Sequence, residues 1–224
     1  MSDIFSEVDE DLKKEQYSRL WKRFSPFVYT VAGLIVVGTA GYRAYDYWED
    51  QQSKEAGQVF LDAIRLSEDG KHGEAITAFE GLEEGLGGYP MLARLRIATE
   101  LSAQDKTAEA ISLLQEISAD SSVPAIYQGL AHIRASYLLM DLNQMDNAVL
   151  EVEGLAIAGN PWRYSALEIL GVIDYSAGDL ASAKARFEEI VNEAGAPGDV
   201  VARARMGLDL IAGTMGTTTK EGEN

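Results

Sequence analysis

The chain has 224 residues, 36 acidic against 19 basic side chains, a net charge of −17 and no cysteine. The missing cysteine excludes disulfides, a thiolate metal site and a cysteine nucleophile. The acidity runs against phosphate-backbone binding, so nucleic acid is not an expected partner.

Residues 1–24 read MSDIFSEVDEDLKKEQYSRLWKRF, with Val8, Leu12, Leu20, Trp21 and Phe24 partly on a helical spacing. An interfacial helix and a charged, loosely ordered flank fit this tail equally well. The stretch from Phe24 to Tyr42 then holds 19 residues without a charge. At the helical rise that is about 28 Å, close to the ~30 Å of bilayer hydrocarbon. Ser25 reads as an N-cap and Pro26 as the first helical residue. Trp21, Phe24, Phe27 and Tyr29 precede the run and Tyr42, Tyr45, Tyr47 and Trp48 follow it, as in an aromatic belt. The expectation is one transmembrane anchor over residues 25–45. A cleaved signal peptide, cut near Gly38-Thr39-Ala40, fits less well, because the flank is long and mixed in charge and the apolar run exceeds a usual signal core. Lys13, Lys14, Arg19, Lys22 and Arg23 lie before the span, and only Arg43, Lys54 and Arg65 within a comparable distance after it. The excess of basic residues predicts a cytoplasmic tail over 1–24 and a translocated C-terminal domain. Residues 43–224 hold 30 acidic and 14 basic groups, so the acidity belongs to that domain.

Beyond the anchor, Val59, Phe60, Ala63, Ile64 and Leu66 recur at helical steps and predict a helix that can run on from the membrane segment. From there the chain repeats. Ala75, Ala110, Ala148 and Ala183 are spaced by 35, 38 and 35 residues. Four residues past them stand Phe79, Leu114, Val152 and Phe187, and seven past them Leu82, Ile117, Leu155 and Ile190. Five before them stand the turn formers Gly70, Asp105, Asn143 and Gly178, and twelve before them the small residues Ala63, Ala98, Ser136 and Gly171. Pro90, Pro124, Pro161 and Pro197 recur at one phase after the alanines. Each unit therefore reads as a helix pair. The small residue admits a close crossing, the turn reverses the chain, the alanine and its apolar followers bury the second helix, and proline opens the next unit. Such a unit cannot bury its apolar face alone, so units must stack. The expected fold is all-α: a single transmembrane helix, then an α-solenoid of about four helix pairs over 46–212. Asp199–Ala212, with Gly207 at the small position, reads as a capping helix. Residues 213–224 read as a disordered tail.

No enzyme chemistry is legible. The two histidines, His72 and His132, have no metal-pair spacing. There is no G-x-S-x-G, phosphate loop or H-E-x-x-H. Gly85-Leu86-Gly87-Gly88 reads as an inter-repeat loop, Asp141–Asp146 lacks the ligands of a Ca²⁺ loop, and the carboxylate runs read as solvated faces. Neither a cofactor, a metal nor a small-molecule substrate is expected. The inner wall of a helix-pair stack comes from its first helices, where Thr99, Tyr137, Met140, Glu168 and Tyr175 are candidate peptide-groove residues. Packing between helices is the alternative role for these five. The residues expected to define the repeat are Ala75, Ala110, Ala148, Ala183, Gly171 and Gly178.

The repeat resembles the tetratricopeptide repeat, most clearly in Leu170-Gly171, Gly178-Asp179-Leu180, Ala183 and Phe187, and next in Gly70-Lys71-His72, Ala75, Ile76 and Phe79. The large aromatic of the first helix is missing; Val59, Arg94, His132 and Leu167 stand there. The whole layout is similar to YfgM-type bacterial proteins, ancillary subunits of the SecYEG translocon. The likeness is carried by Gly41-Tyr42-Arg43-Ala44-Tyr45-Asp46-Tyr47-Trp48, Gln51-Gln52, Ala56 and Phe60–Ile64. Met1–Leu12 and Asn160-Pro161-Trp162-Arg163-Tyr164-Ser165-Ala166 look like the alphaproteobacterial branch. The resemblance implies an inner-membrane anchor, a periplasmic repeat domain, and a chaperone or adaptor role beside SecYEG with a PpiD-like foldase and unfolded periplasmic clients. The alternative is a repeat scaffold for another envelope complex, in cytochrome maturation, cell division or outer-membrane assembly.

Overall fold

The computed structural model describes the backbone of residues 3–83, 85 and 87–221, and the side chains of 21, 25–27, 29–83, 85 and 87–214. Every regular element among them is helical. The chain divides into two units, Met1–Glu55 and Ala56–Asn224.

Helix α1 (Asp3–Glu68) supplies the first unit and opens the second. It corrects one expectation. Pro26 lies inside the helix, and Ser25 is not its N-cap. A proline removes one backbone donor and crowds the turn before it, but the residues on both sides favour helix strongly enough to carry the chain through. The Thr30 hydroxyl donates to the Pro26 carbonyl at 2.8 Å, and Thr39 to Ile35 at 2.7 Å. From Ser25 onward α1 is long and apolar enough to cross a membrane, and none of that apolar stretch is buried. Leu34 and Val37 are 69% and 70% exposed.

The second unit is a stack of helix pairs. The end of α1 pairs with α2 (His72–Glu80), α3 (Tyr89–Ala103) with α4 (Thr107–Ala119), α5 (Ala125–Asp141) with α6 (Met145–Val152), and α7 (Arg163–Ser176) with α8 (Leu180–Asn192). Helix α9 (Gly198–Glu221) follows and packs on α8 and α7. Prolines mark the starts of first helices: Pro90 lies in the first turn of α3, and Pro124 caps α5. The third pair is irregular. Helix α6 stops at Val152 and continues as a 3-10 turn, Glu153–Leu155, which still places Leu155 against the core.

The four reversals share one geometry. Gly70, Asp105, Asn143 and Gly178 have φ of 75°, 61°, 58° and 81°. In each, the left-handed residue donates to the carbonyl three before it and its successor to the carbonyl five before that successor. Gly178 N–Tyr175 O is 3.0 Å and Asp179 N–Asp174 O is 2.9 Å; Asn143 N–Met140 O and Gln144 N–Leu139 O are both 2.8 Å. This is the Schellman closure, which satisfies the last carbonyls of a helix. Only the last reversal adds a side-chain cap to the next helix, Asp179 accepting from the Ser182 amide at 3.0 Å. Gly178→Val should lower the melting temperature of the domain, since a β-branched residue in this region costs about 1–2 kcal/mol. Asn143→Gly should raise it. Thermal melts of the two variants, read by circular dichroism, check the opposite signs.

The core lies in four successive clusters, and each needs the next unit to close it. Ala63 from α1 and Ala75, Phe79 and Leu82 from the first reversal onward are sealed by Ala93 and Ile97 of α3. Leu95, Ala98, Leu114 and Ile117 are sealed by Ala131 and Ala135 of α5. Ile133, Ala148 and Val152 are sealed by Ala166, Ile169 and Leu170 of α7. Ala183, Phe187 and Ile190 are sealed by Val200, Ala204 and Ile211 of α9. Ala75, Ala110, Ala148 and Ala183 are all completely buried. Helix α9 is thus the cap that covers the last apolar face. It also runs past Ala212 to Glu221, where composition predicts a disordered tail from 213. No proline interrupts it there, and the Thr214 hydroxyl donates to the Leu210 carbonyl at 2.9 Å. Residues 222–224 of that expected tail lie outside the described residues.

A cleft between the second and third helix pairs

The first helices of the second and third pairs leave an opening between them. Its volume is 510 Å³, and its walls are Ala98, Thr99, Ser102 and Ala103 of α3, Leu114 of α4, and Arg134, Tyr137 and Leu138 of α5. The small residues make the opening. Ala98 and Ala103 leave space that larger side chains would fill, while Leu114 and Leu138 give it an apolar floor. Thr99 and Tyr137 each follow the small residue of their unit, so the repeat itself brings them to the same height on adjacent helices. Tyr137 is 43% exposed. Burial, and then the charge of Glu168, push its phenol up.

Arg134 is half-buried at the edge of the cleft. Its Nη1 donates to the Leu95 carbonyl at 3.1 Å, tying α5 to α3. Burial, and then the nearby charge of Arg96, push its guanidinium down. Among the described residues no carboxylate lines the opening.

Two of the five groove residues expected from the sequence, Thr99 and Tyr137, therefore line the cleft. The other three do not. Met140 packs against the core of the third pair. Glu168 is 7% exposed and is gripped by Arg203 of the capping helix, Nε to Oε1 at 2.5 Å and Nη2 to Oε2 at 2.9 Å. Arg203 also reaches Asp199 at 3.1 Å. These carboxylates hold the Arg203 guanidinium above its ordinary value, Glu168 contributing most. Tyr175 is half-buried beside the last core and shares a hydrogen bond of 3.3 Å with Thr214. A helix position three or four residues from the crossing can face either the opening or the next helix, and here the rotation of α7 turns Glu168 and Tyr175 toward α9. Arg134 and Leu138 were not singled out from sequence. The available signal was that each lies two residues from the small Ser136, on either side.

The histidines hold helices together. His72 Nδ1 lies 2.7 Å from Glu100 Oε2, and the Ser67 hydroxyl donates to Glu100 Oε1 at 2.7 Å, so the 1%-exposed Glu100 is fully engaged by the preceding pair. His132 Nδ1 lies 2.7 Å from Glu151 Oε2, and Gln115 donates to Glu151 Oε1 at 2.7 Å. Among the described residues no group of three metal-ligating side chains gathers anywhere. The hydrogen bond from His132, the largest influence, and that from Gln115 hold Glu151 below the usual 4.5 of a glutamate. A depressed carboxylate adds stability that is present above its unfolded value and is lost as pH falls through the folded one. Glu151→Gln should therefore flatten the decline of melting temperature below about pH 4.5 relative to the parent chain. A series of melts from pH 7 to 3 on both proteins measures the slope.

The decisive comparison covers nearly the whole chain: the model of the tetratricopeptide repeat-like domain family matches residues 18–210. The chain belongs to this family. Domains built on this repeat mediate contacts between proteins. Two solved structures, described as the Podosopora anserina putative kinesin light chain nearly identical TPR-like repeats and a single-substitution form of the same repeats, are similar to it. Each is 16% identical with a TM-score of 0.48; they cover 72% and 73% of this chain, and 95% of their own. No curated protein matches the chain.

Proposed function

We propose that this protein is a membrane-anchored interaction module whose repeat domain lies in the periplasm and serves as a chaperone or adaptor beside the SecYEG translocon. The observation that carries the reading is the junction of two parts in one chain. A charge-free apolar helix segment, bare along its length, leads into stacked helix pairs, and the match to the tetratricopeptide repeat-like domain family takes in both, from residue 18 to 210. The excess of basic residues before the span favours a cytoplasmic N-terminus. The Gly41–Trp48 exit and the repeats that follow are the features shared with YfgM-type proteins, and these point to the translocon and a membrane-bound foldase as partners. An acidic domain on the far side of the membrane stays soluble and keeps away from anionic lipid.

The test is a mild-detergent pull-down of the full chain, tagged at its C-terminus and read by mass spectrometry. SecY, SecE, SecG and a membrane foldase are the expected partners. Their absence, with components of cytochrome maturation, cell division or outer-membrane assembly enriched instead, would replace this reading with the scaffold reading. Protease digestion of spheroplasts should remove the C-terminal tag; a tag protected until lysis would overturn the proposed orientation.

A further inference from the structure

The second helices carry a groove of their own. Between α4 and α6 lies an opening of 380 Å³ with Ile111 and Leu139 at its floor and Leu142, Asn147, Leu150 and Glu151 around it. Ile111 and Leu139 are buried, whereas Leu142 is 44% and Leu150 68% exposed. Bare leucines beside an apolar floor form a seat for another apolar group. The charge around this seat has one sign. Helices α4 and α6 and the turn 142–144 before α6 hold no lysine or arginine. Residues 107–162 carry seven carboxylates and one arginine, Arg134, which is committed to the Leu95 carbonyl of α3. Glu109, Glu116, Asp141 and Asp146 are all exposed, and each adjoins a groove residue in the chain. The arginines of the repeat domain pair elsewhere: Arg94 with Asp120, Arg163 with Glu189, Arg186 with Asp174 and Arg203 with Glu168. Among the described residues no cation reaches those four carboxylates. Inside the groove, Glu151 accepts from Gln115 on Oε1 and meets His132 on Oε2. Each oxygen of a carboxylate can accept a second donor.

Charge complementarity selects the occupant. A second copy of this chain brings a domain with 30 carboxylates against 14 cations over residues 43–224, and the groove repels it. Anionic lipid and nucleic acid are repelled for the same reason. A surface rich in lysine or arginine is drawn in, and its cations form charge-assisted hydrogen bonds with the carboxylates. The groove has room for a large side chain, since 380 Å³ falls in the ~300–1,000 Å³ range of ligand pockets. We infer that the α4–α6 groove docks a segment of a partner protein in which basic residues flank a large apolar side chain, the apolar group seated between Leu142 and Leu150 and the cations on Glu151 and its exposed acidic neighbours. This rests on the interaction-module reading and adds a face of the domain and the chemistry of the partner that fits it.

The experiment uses the full chain in non-ionic detergent at physiological salt and three fluorescein-labelled dodecapeptides, read by anisotropy. The first carries Leu and Phe flanked by four lysines. The second has glutamine in place of lysine, and the third keeps the lysines but has serine in place of Leu and Phe. The first should bind at least tenfold more tightly than either of the others. Leu150→Asp separates seating in the groove from bland attraction to an acidic surface. It adds a negative charge, so bland attraction would strengthen binding, whereas loss of the apolar seat should weaken it at least tenfold. Asn147→Lys places a cation in the groove and should also weaken binding at least tenfold. Glu74→Lys makes a similar change of charge on α2, outside the groove, and should alter binding less than twofold. All three positions are exposed, and melts by circular dichroism check that the variants fold. Equal binding of the lysine and glutamine peptides, undiminished binding by Leu150→Asp, or equal losses in Asn147→Lys and Glu74→Lys would each overturn the inference. A peptide-free dimer that Leu150→Asp dissociates would also overturn it, making a second copy the occupant. If no peptide binds while the pull-down still retains envelope partners, the groove assignment fails and the interaction-module reading stands. If the lysine peptide binds in the groove but no envelope partner is recovered, the groove stands and the translocon reading fails.

Discussion

Ala183→Asp should unfold the last helix pair and its cap. Ala183 is completely buried, between Leu167, Phe187 and Ile190 and under Val200 and Ala204 of α9. A carboxylate there must stay charged in an apolar site or take up a proton and remain without a partner, and both are expensive. Space adds to the cost, because the alanine sits where two helices cross and the larger side chain forces them apart. The expected loss exceeds about 4 kcal/mol, the range that only such buried-charge and packing faults reach. Against a total of ~5–15 kcal/mol for a domain, that is decisive locally. Stability in a stack is a sum over neighbours, so the damage should be graded. Hydrogen exchange should show amides of α8 and α9 losing protection while those of α3 and α4 keep theirs. An unchanged melt, or a loss spread evenly over the stack, would contradict the assigned register.

The second large effect centres on Phe187. Its ring lies between two glycines from different helices. A β-carbon built on Gly171 would sit 2.8 Å from Cε1, and one on Gly207 only 2.6 Å from Cε2. Neither helix has room for a side chain at these positions, and the ring fills the space that their absence leaves. Phe187→Ala should cost about 3–5 kcal/mol through lost burial and the cavity left behind. Gly207→Ala alone should cost about 1–3 kcal/mol through overpacking. Combined, the two should cost less than their sum by at least about 1 kcal/mol, because the new methyl occupies part of the void. Urea denaturation of the four proteins, with midpoints compared at equal slopes, gives the coupling. Strict additivity would show that the glycines and the ring do not share one space.

How far such features were legible beforehand depends on their physics. The helix crossings were legible, because a crossing demands a small residue in a fixed place and the demand recurs in every unit. Gly171 and Gly207 stood at that place in the sequence, and Ala75, Ala110, Ala148 and Ala183 kept its counterpart on the second helices. The reversals were legible for the same reason: Asp105 and Asn143 are the residues other than glycine that tolerate a left-handed turn best. Pro26 was misread, since a proline marks either a helix start or an interruption, and the choice depends on how strongly its neighbours favour helix. Composition likewise underrated the continuation of α9 past Ala212.

The chain's sequence by itself determined the family of fold, the phase of the units, the charge-free span and the absence of enzyme motifs. All of these are local or periodic, so each residue type carries its own evidence. Tertiary structure alone decided which first-helix side chains face the open cleft. It buried Glu168 under Arg203, 35 residues away, joined His72 to Glu100 and His132 to Glu151, and tied Arg134 to the Leu95 carbonyl. Those outcomes depend on the rotation of each helix about its axis and on what the neighbouring unit presents. Repeat spacing constrains the first only loosely and says nothing of the second.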